Sequence, residues 1–327
     1  MPPHTSRNGS APKRAKGESS YTPLDYPSII ECFEDNDALK KFNTYFATLV
    51  VQISCPIDLN FLVNTLQFKN LDQLHGWGWL ECLQLRGPCY DNLVRAFYSN
   101  AKLKHDSNTH LVQSIISSVM GQEITISVET LSIYLSITNE GDDHHTYSYD
   151  TSLTRPNYYV GNDMDIHDRI LHLMFTWIVA SISKHPSFRH NDNWMGHYFR
   201  TNHPLNLASI IFLNLLEVVR LLMSSNKTLR YGTFLSYIFR TQRINVIVDP
   251  VRTINSFIDI LIAHSCNCKL DGKGNWVRKL DQQSLATQAL TIPPVAPQSS
   301  DALRSPPSPH TVYLIKAING MSLQVDV

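Results

Sequence analysis

The feature that most constrains this chain is a helical spacing of apolar residues, which recurs through its middle and is absent from both ends. Residues 88–102 show it most clearly, because Tyr90, Leu93, Val94 and Phe97 fall at intervals of three and four. Such spacing puts apolar side chains on one face of a helix, and that face must be buried against other elements. The sequence therefore predicts a body of packed helices.

Further segments share this spacing. They cover residues 37–51, 58–66, 128–136, 166–184, 205–224, 231–243 and 251–264. Polar residues that can accept a hydrogen bond from a first-turn N–H precede several of them: Asp35 or Asn36, Ser127 and Asp165. Pro250 stands at the start of the last segment, where a missing N–H costs a helix nothing. These positions predict where the helices begin.

One segment alternates instead of following the helical period. Residues 123–127 alternate polar and apolar, and Met120-Gly121-Gln122 just before them favours a turn. Together they predict a β-hairpin over residues 110–127. With no repeat of fixed period elsewhere, the expected fold is mostly α: a single helical domain with one β-hairpin.

Both ends of the chain differ in composition from the middle. Residues 1–24 are rich in Pro, Ser, Gly and basic residues, and residues 281–327 form a Pro/Ser/Gln-rich tail whose last apolar stretch could add a short strand. Such segments cannot bury enough apolar surface to offset chain entropy, so disordered tails are expected. The helical domain is expected over residues 35–280, with a candidate hinge in the polar stretch 139–163.

Charge and cysteine usage restrict the class of protein further. Lys+Arg and Asp+Glu both number 28, whereas dedicated nucleic-acid binders usually carry a basic excess. The N-terminus lacks the apolar segment of a secretory signal, and the six cysteines are scattered, so an intracellular location without disulfides is expected. The apolar segments 170–182 and 205–223 are too short or carry charges, so no membrane span is expected.

The N-terminal tail contains one basic cluster. Lys13, Arg14 and Lys16 directly follow Pro12 and form a candidate nuclear-import signal, because a flexible basic segment can bind an acidic receptor groove. The alternative is a tail that only aids solubility. If the cluster is an import signal, the protein is expected in the nucleus.

Two acid-rich stretches and one Cys/His group are candidate catalytic or metal-binding sites. Residues 142–145 and 163–168 contain Asp and His that could bind divalent cations, but the first stretch is a predicted loop and the second begins a helix. His264, Cys266 and Cys268 lack the fourth ligand of a structural zinc site. We therefore expect no catalytic, cofactor-binding or metal-binding residues.

Several blocks of sequence, taken in order, resemble a known family. They are residues 74–80 (LHGWGWL), 85–90 (LRGPCY), 93–100 (LVRAFYSN), 119–124 (VMGQEI) and 231–239 (YGTFLSYIF). The order is similar to that of the plant transposon protein domain, which occurs in open reading frames derived from plant retroelements. The resemblance covers roughly residues 35–280 and departs from the family pattern at Trp79 and Cys89. It implies mobile-element ancestry and a helical fold, and it assigns no catalysis and no functional residues.

Taken together, the residues and the resemblance favour a non-enzymatic structural or interaction module of a plant mobile element, with a gag-like role in assembly. Its expected partner is another protein or a second copy of the chain, with weak non-specific nucleic-acid binding through the N-terminal tail. One alternative is a nucleic-acid-binding protein that uses a local basic surface such as Lys102, Lys104 and His105. The other is a degenerate nuclease of the DDE type.

Overall fold

The computed structural model describes residues 31–142, 164–182, 190–221, 228–247 and 249–278. Within these ranges about 48% of the residues are helical and 16% are in strands, which form three small sheets. The fold is therefore mixed α/β, and the predicted mostly α domain with one β-hairpin is wrong. The additional strands have two to four residues each, too few for their alternation to be recognised in the sequence.

Ten α-helices and three π-helical turns make up the helical part of the described ranges. The helices are α1 (Asn36–Lys41), α2 (Leu71–Gly76), α3 (Leu80–Leu83), α4 (Asp91–Asn100), α5 (Val128–Leu135), α6 (Ile166–Met174), α7 (His190–Thr201), α8 (Leu207–Leu221), α9 (Gly232–Thr241) and α10 (Ile260–Ser265). The π-helical turns are Phe42–Phe46, Phe61–Leu66 and Phe175–Val179. The first and last of them continue α1 and α6 directly.

The strands pair in antiparallel fashion. They are β1 (Cys89–Tyr90), β2 (Lys102–His105), β3 (Val112–Val119), β4 (Gln122–Ile126), β5 (Val251–Arg252), β6 (Cys268–Leu270) and β7 (Trp276–Arg278). β1 pairs with β5, β6 pairs with β7, and the third sheet has the order β2-β3-β4. None of the sheets in the described ranges exceeds three strands.

The predicted hairpin is present as β3 and β4. Val119 pairs with Gln122, and the turn residues Met120 and Gly121 have φ of 53° and 71°. Two left-handed residues match the twist of a two-residue hairpin, and glycine adopts this conformation without strain. The hairpin is one part of a larger sheet, however, because β2 pairs along the other edge of β3.

The predicted helix over residues 251–264 is wrong for most of its length. Val251 and Arg252 form β5, and the helix runs only over Ile260–Ser265. Pro250 does not start it. Instead, the Asp259 side chain accepts hydrogen bonds from the N–H groups of Leu261 and Ile262. The helical spacing also failed to predict α2, α3 and α7.

Three of the predicted helix starts are confirmed. The Asp35 side chain accepts from the Ala38 N–H at 2.8 Å, and the Asp165 side chain accepts from the Asp168 N–H at 2.8 Å. Ser127 and Thr130 form a reciprocal capping box before α5. Each cap satisfies an N–H that the first turn of a helix leaves unpaired.

One hydrophobic core joins the described elements. Phe97 and Tyr98 are 0% and 2% exposed, which confirms that the apolar face of α4 is buried. Trp79 is buried, and Trp77 is half-buried with its ring centroid 4.4 Å from that of Phe199. Trp177 lies half-buried at the margin of this core.

Two further expectations meet the structure only in part. None of the helices in the described ranges combines the length and apolarity needed to span a bilayer. The predicted tails, residues 1–24 and 281–327, lie outside the described residues, as does most of the candidate hinge. At the described start of that hinge, the Asp142 N–H donates to the Pro204 carbonyl at 3.0 Å.

Candidate functional site

The acid cluster at the start of α6 is neutralised by a lysine from a distant part of the chain. The Lys69 Nζ lies 2.5 Å from Asp168 Oδ1 and 3.1 Å from Asp165 Oδ2. Burial lowers the pKa of Lys69, but the hydrogen bonds and charges of the two carboxylates outweigh it and raise that pKa. A lysine ammonium thus lies where the sequence left room for a metal ion, and the cluster links α6 to the segment before α2.

A small pocket lies beside this ion pair. It has a volume of about 40 Å³, and its walls include Lys69, Asp168, His172, Phe175 and Arg200. That is room for roughly three water molecules. None of the residues lining it is Ser, Thr, Tyr or Cys, so its histidine has no hydroxyl or thiol nucleophile among these walls.

His172 takes part in a buried polar relay between α6 and α7. Its Nδ1 lies 3.2 Å from an Arg169 guanidinium nitrogen, and its Nε2 lies 3.4 Å from Asp192 Oδ2. Because a guanidinium can only donate, the His172 Nδ1 accepts in its contact with Arg169. His172 and Asp192 are 2% and 0% exposed at their side chains. The relay therefore joins two helices inside the protein.

The Cys/His group near the end of the described chain makes local contacts. The His264 Nδ1 lies 3.2 Å from the Cys268 carbonyl, and its ring packs 5.8 Å from that of Trp276. Within the described ranges, no three His, Cys, Asp or Glu side chains come together as a metal site would require.

Four of the six thiols share one electrostatic property. Burial raises the pKa of Cys32, Cys55, Cys82 and Cys89 to about 12 in each case. A thiol is nucleophilic as its thiolate, so these four are poor nucleophiles at neutral pH. They serve as small apolar side chains.

The basic surface expected around β2 is partly neutralised. Lys102, Lys104 and His105 are exposed on this edge strand, but the Lys102 Nζ lies 2.7 Å from a Glu34 carboxylate oxygen. That hydrogen bond raises the pKa of Lys102. Exposed lysines on an edge strand also discourage pairing with a foreign strand. The predicted import residues Lys13, Arg14 and Lys16 lie outside the described residues.

Sequence reasoning missed a segment that is mostly neither helix nor strand between α9 and α10. Residues 245–262, here called the strap, precede and enter α10; residue 248 alone lies outside the described ranges. Asp249 is buried, and its carboxylate accepts hydrogen bonds from the N–H groups of Asn92 (2.8 Å) and Leu93 (3.1 Å) at the start of α4. The Arg252 guanidinium donates to Asp91 at 2.8 Å. The polar groups of the strap thus hold it to the body.

The other end of the strap is fixed by its backbone. The Ile258 N–H donates to the Pro56 carbonyl at 2.9 Å, and the Ile258 carbonyl accepts from the Asp58 N–H at 3.1 Å. Three apolar side chains along the strap are exposed: Ile247 is 92% exposed, Val251 57% and Leu261 70%. The strap is the strongest candidate for an interaction site.

Comparison with family models, with curated proteins and with solved structures found no match to this chain. The contacts of its own residues therefore carry the functional argument.

Proposed function

We propose that this chain is a non-enzymatic assembly module that associates with further copies of itself through the strap. The observation that carries the proposal is the sidedness of that segment. Asp249 and Arg252 turn inward to α4, whereas Ile247, Val251 and Leu261 are largely exposed. Single exposed apolar residues are ordinary on a protein surface, so the proposal rests on their recurrence along one segment that is anchored to the body.

Charge favours a second copy as the partner. The chain has equal numbers of acidic and basic residues and a formal net charge of zero. Two copies therefore experience little net repulsion as they approach, and proteins near zero net charge associate more readily.

The chemistry of the polar clusters supports a non-enzymatic role. Asp165 and Asp168 bind Lys69, and His172 lies in a relay between two helices. Both clusters are used to join elements of the fold, and none of the residues lining the adjacent pocket offers a hydroxyl or thiol nucleophile. A structural use of these groups is consistent with an assembly protein.

The origin in a plant mobile element remains a proposal that rests on the sequence blocks. In such an element, a module that associates with its own copies would act as a gag-like structural protein. The buried positions of Trp79, Leu93 and Phe97 agree with the view that those blocks are packing positions. This agreement bears on packing alone.

Nuclear import is proposed for the basic cluster in the N-terminal tail. In plant cells, a fluorescent fusion too large to diffuse through nuclear pores should accumulate in nuclei. Replacing Lys13, Arg14 and Lys16 by alanine should reduce that accumulation, because the receptor groove recognises the cations. Equal nuclear signal in both fusions would contradict the proposal.

Assembly can be tested on the purified full-length chain by size-exclusion chromatography with light scattering over a series of concentrations. We expect a reversible rise in mass with concentration, and the double variant Ile247→Asp, Leu261→Asp should weaken it by about tenfold or more, the effect of losing well over 1 kcal/mol at an interface. Ile133→Asp is the matched control, since Ile133 is 74% exposed on α5, away from the strap in sequence. A monomer at all concentrations, or equal loss in the control, would contradict the proposal.

A further inference from the structure

A group of arginines and aromatic rings lies beside the strap. Arg86 has its guanidinium carbon 4.6 Å from the ring centroid of Phe257, and Arg240 has its own 5.7 Å from that of Tyr237. Both are within the distance at which a cation is attracted to the face of a ring. The arginine surface is defined here as Arg86, Arg240, Arg243, Tyr237 and Phe257.

Gly87 brings the two arginine–ring pairs together. A β-carbon at residue 87 would lie only 2.5 Å from an Arg240 guanidinium nitrogen, so this guanidinium rests directly on bare backbone next to Arg86. Gly87 also has a φ of +152°, a conformation that residues with a side chain rarely adopt. Arg243 follows at the end of α9, where its N–H donates to the Arg240 carbonyl at 3.0 Å.

These arginines keep their charge unpaired. Arg86, Arg240 and Arg243 are exposed, and among the residues that the structure describes none of them has a carboxylate within ion-pair distance. Arg86 contacts Phe257 and the Ile57 carbonyl, and the acids nearest to these along the chain are Asp259 and Asp58. Both carboxylates instead accept backbone N–H groups at helix starts. The Arg86 guanidinium does donate to the Ile57 carbonyl at 3.4 Å, which leaves its charge uncompensated. The surface therefore presents three guanidinium groups without a carboxylate partner among the described residues.

We propose that the arginine surface binds single-stranded nucleic acid. Guanidinium groups bind phosphate oxygens in a bidentate manner, and their planar faces stack on bases. Arg86 and Arg240 already lie against aromatic rings and their side chains are exposed, so this surface offers guanidinium planes and rings that an unstacked base can contact. Stacking of this kind is available only to bases outside a duplex, so single strands are preferred. This activity goes beyond assembly through the strap.

The test uses the full-length chain and fluorescence anisotropy with labelled single-stranded RNA, a duplex of the same sequence and anionic lipid vesicles as probes. Wild type should bind the single strand best, and affinity should fall by about twentyfold between roughly 50 and 200 mM salt, as expected for three phosphate contacts on a single strand. Arg240→Gln with Arg243→Gln should abolish most of this binding. Arg86→Lys with Arg240→Lys, which keeps charge and removes planar stacking, should reduce the preference for the single strand.

The controls distinguish binding by the arginine surface from an effect of net charge and from binding by the N-terminal tail. Lys40→Gln with Lys41→Gln removes the same charge from exposed positions on α1 and should leave binding unchanged. Replacing Lys13, Arg14 and Lys16 by alanine should also leave most of it. The proposal is overturned if either control variant abolishes binding, if the vesicles bind in preference to RNA, or if wild type binds no single strand. Melting curves of all variants verify that they fold.

Discussion

Helices α4 and α5 begin in different ways, although both are buried on one face. The first turn of α5 is capped by Ser127 and Thr130, its own neighbours. The first turn of α4 has no side-chain cap from Tyr90, and its N–H groups at Asn92 and Leu93 donate to Asp249, about half the chain away. The cap of α5 therefore comes from neighbouring residues, whereas the cap of α4 forms only when Asp249 of the strap packs against it.

The largest effect is expected inside α4. Phe97 is 0% exposed and packs against Tyr98 and Phe239, so Phe97→Ala should lower the free energy of unfolding by about 3–5 kcal/mol. Chemical denaturation monitored by circular dichroism measures this loss. An unchanged midpoint would mean that the face of α4 is not a core surface, and the comparison with α5 would lose its basis.

The second effect tests the long-range cap itself. Asp249→Ala leaves two N–H groups at the start of α4 without their acceptor, and should cost about 2–3 kcal/mol because a buried, unsatisfied donor is expensive. Asp106 provides a matched control, since its carboxylate also accepts two backbone N–H groups, from Asn108 and Thr109, but in an exposed loop. Asp106→Ala should cost clearly less, because water replaces the lost acceptor at this exposed position. Equal losses of unfolding free energy in the two variants would show that the cap from Asp249 stabilises the protein no more than the Asp106 contacts in an exposed loop do.

The contributions of Asp249 and Asp106 to stability should depend on pH in opposite directions. Burial raises the pKa of Asp249 above 3.8, although hydrogen bonds from Leu93 and Asn92 oppose the shift. The folded state then holds this proton more tightly than the unfolded state, so the contribution of Asp249 to stability falls as pH rises from 3.8 through the raised value. Backbone hydrogen bonds from Thr109 and Asn108 lower the pKa of Asp106, so its contribution is lost as pH falls through that lowered value. Denaturation of Asp249→Asn and Asp106→Asn against wild type, across pH, should give differences of opposite slope.

The comparison also explains how much of the molecule the sequence could predict. The β3–β4 hairpin, the caps at Asp35, Ser127 and Asp165, and the buried face of α4 all depend on residues within a few positions of one another. The pairing of β1 with β5 joins Cys89 to Arg252, and no local pattern carries that information.

The candidate sites divide in the same way. The capping role of Asp165 followed from its position before a helix, whereas its ion pair with Lys69 depends on the fold. The strap was mistaken for a helix because its apolar residues happen to match helical spacing from residue 251 onward. Its position is fixed instead by contacts with Asn92, Leu93 and Pro56, which lie far away in sequence.

The local cap of α5 should matter less than the long-range cap of α4. Ser127→Ala removes one acceptor from an N–H that water can reach, and should cost about 1 kcal/mol, a typical value for a helix cap. Thermal unfolding of this variant beside Asp249→Ala gives the ranking directly. If the Ser127 variant were the less stable of the two, the local cap would be the stronger one.

The smallest effect is expected at the outer side of the strap. Ile247 lies two positions from Asp249 but is 92% exposed, so Ile247→Asp removes almost no buried surface. Its free energy of unfolding, measured at a concentration where the chain is monomeric, should stay within about 0.5 kcal/mol of wild type. The same variant should weaken association at high concentration. Ile247 would then affect assembly without affecting stability, whereas Asp249, two positions away, affects stability. This difference would show that the strap has one side for association and another for packing against the body. A large loss of stability would instead place Ile247 against the body and remove it from the proposed interface.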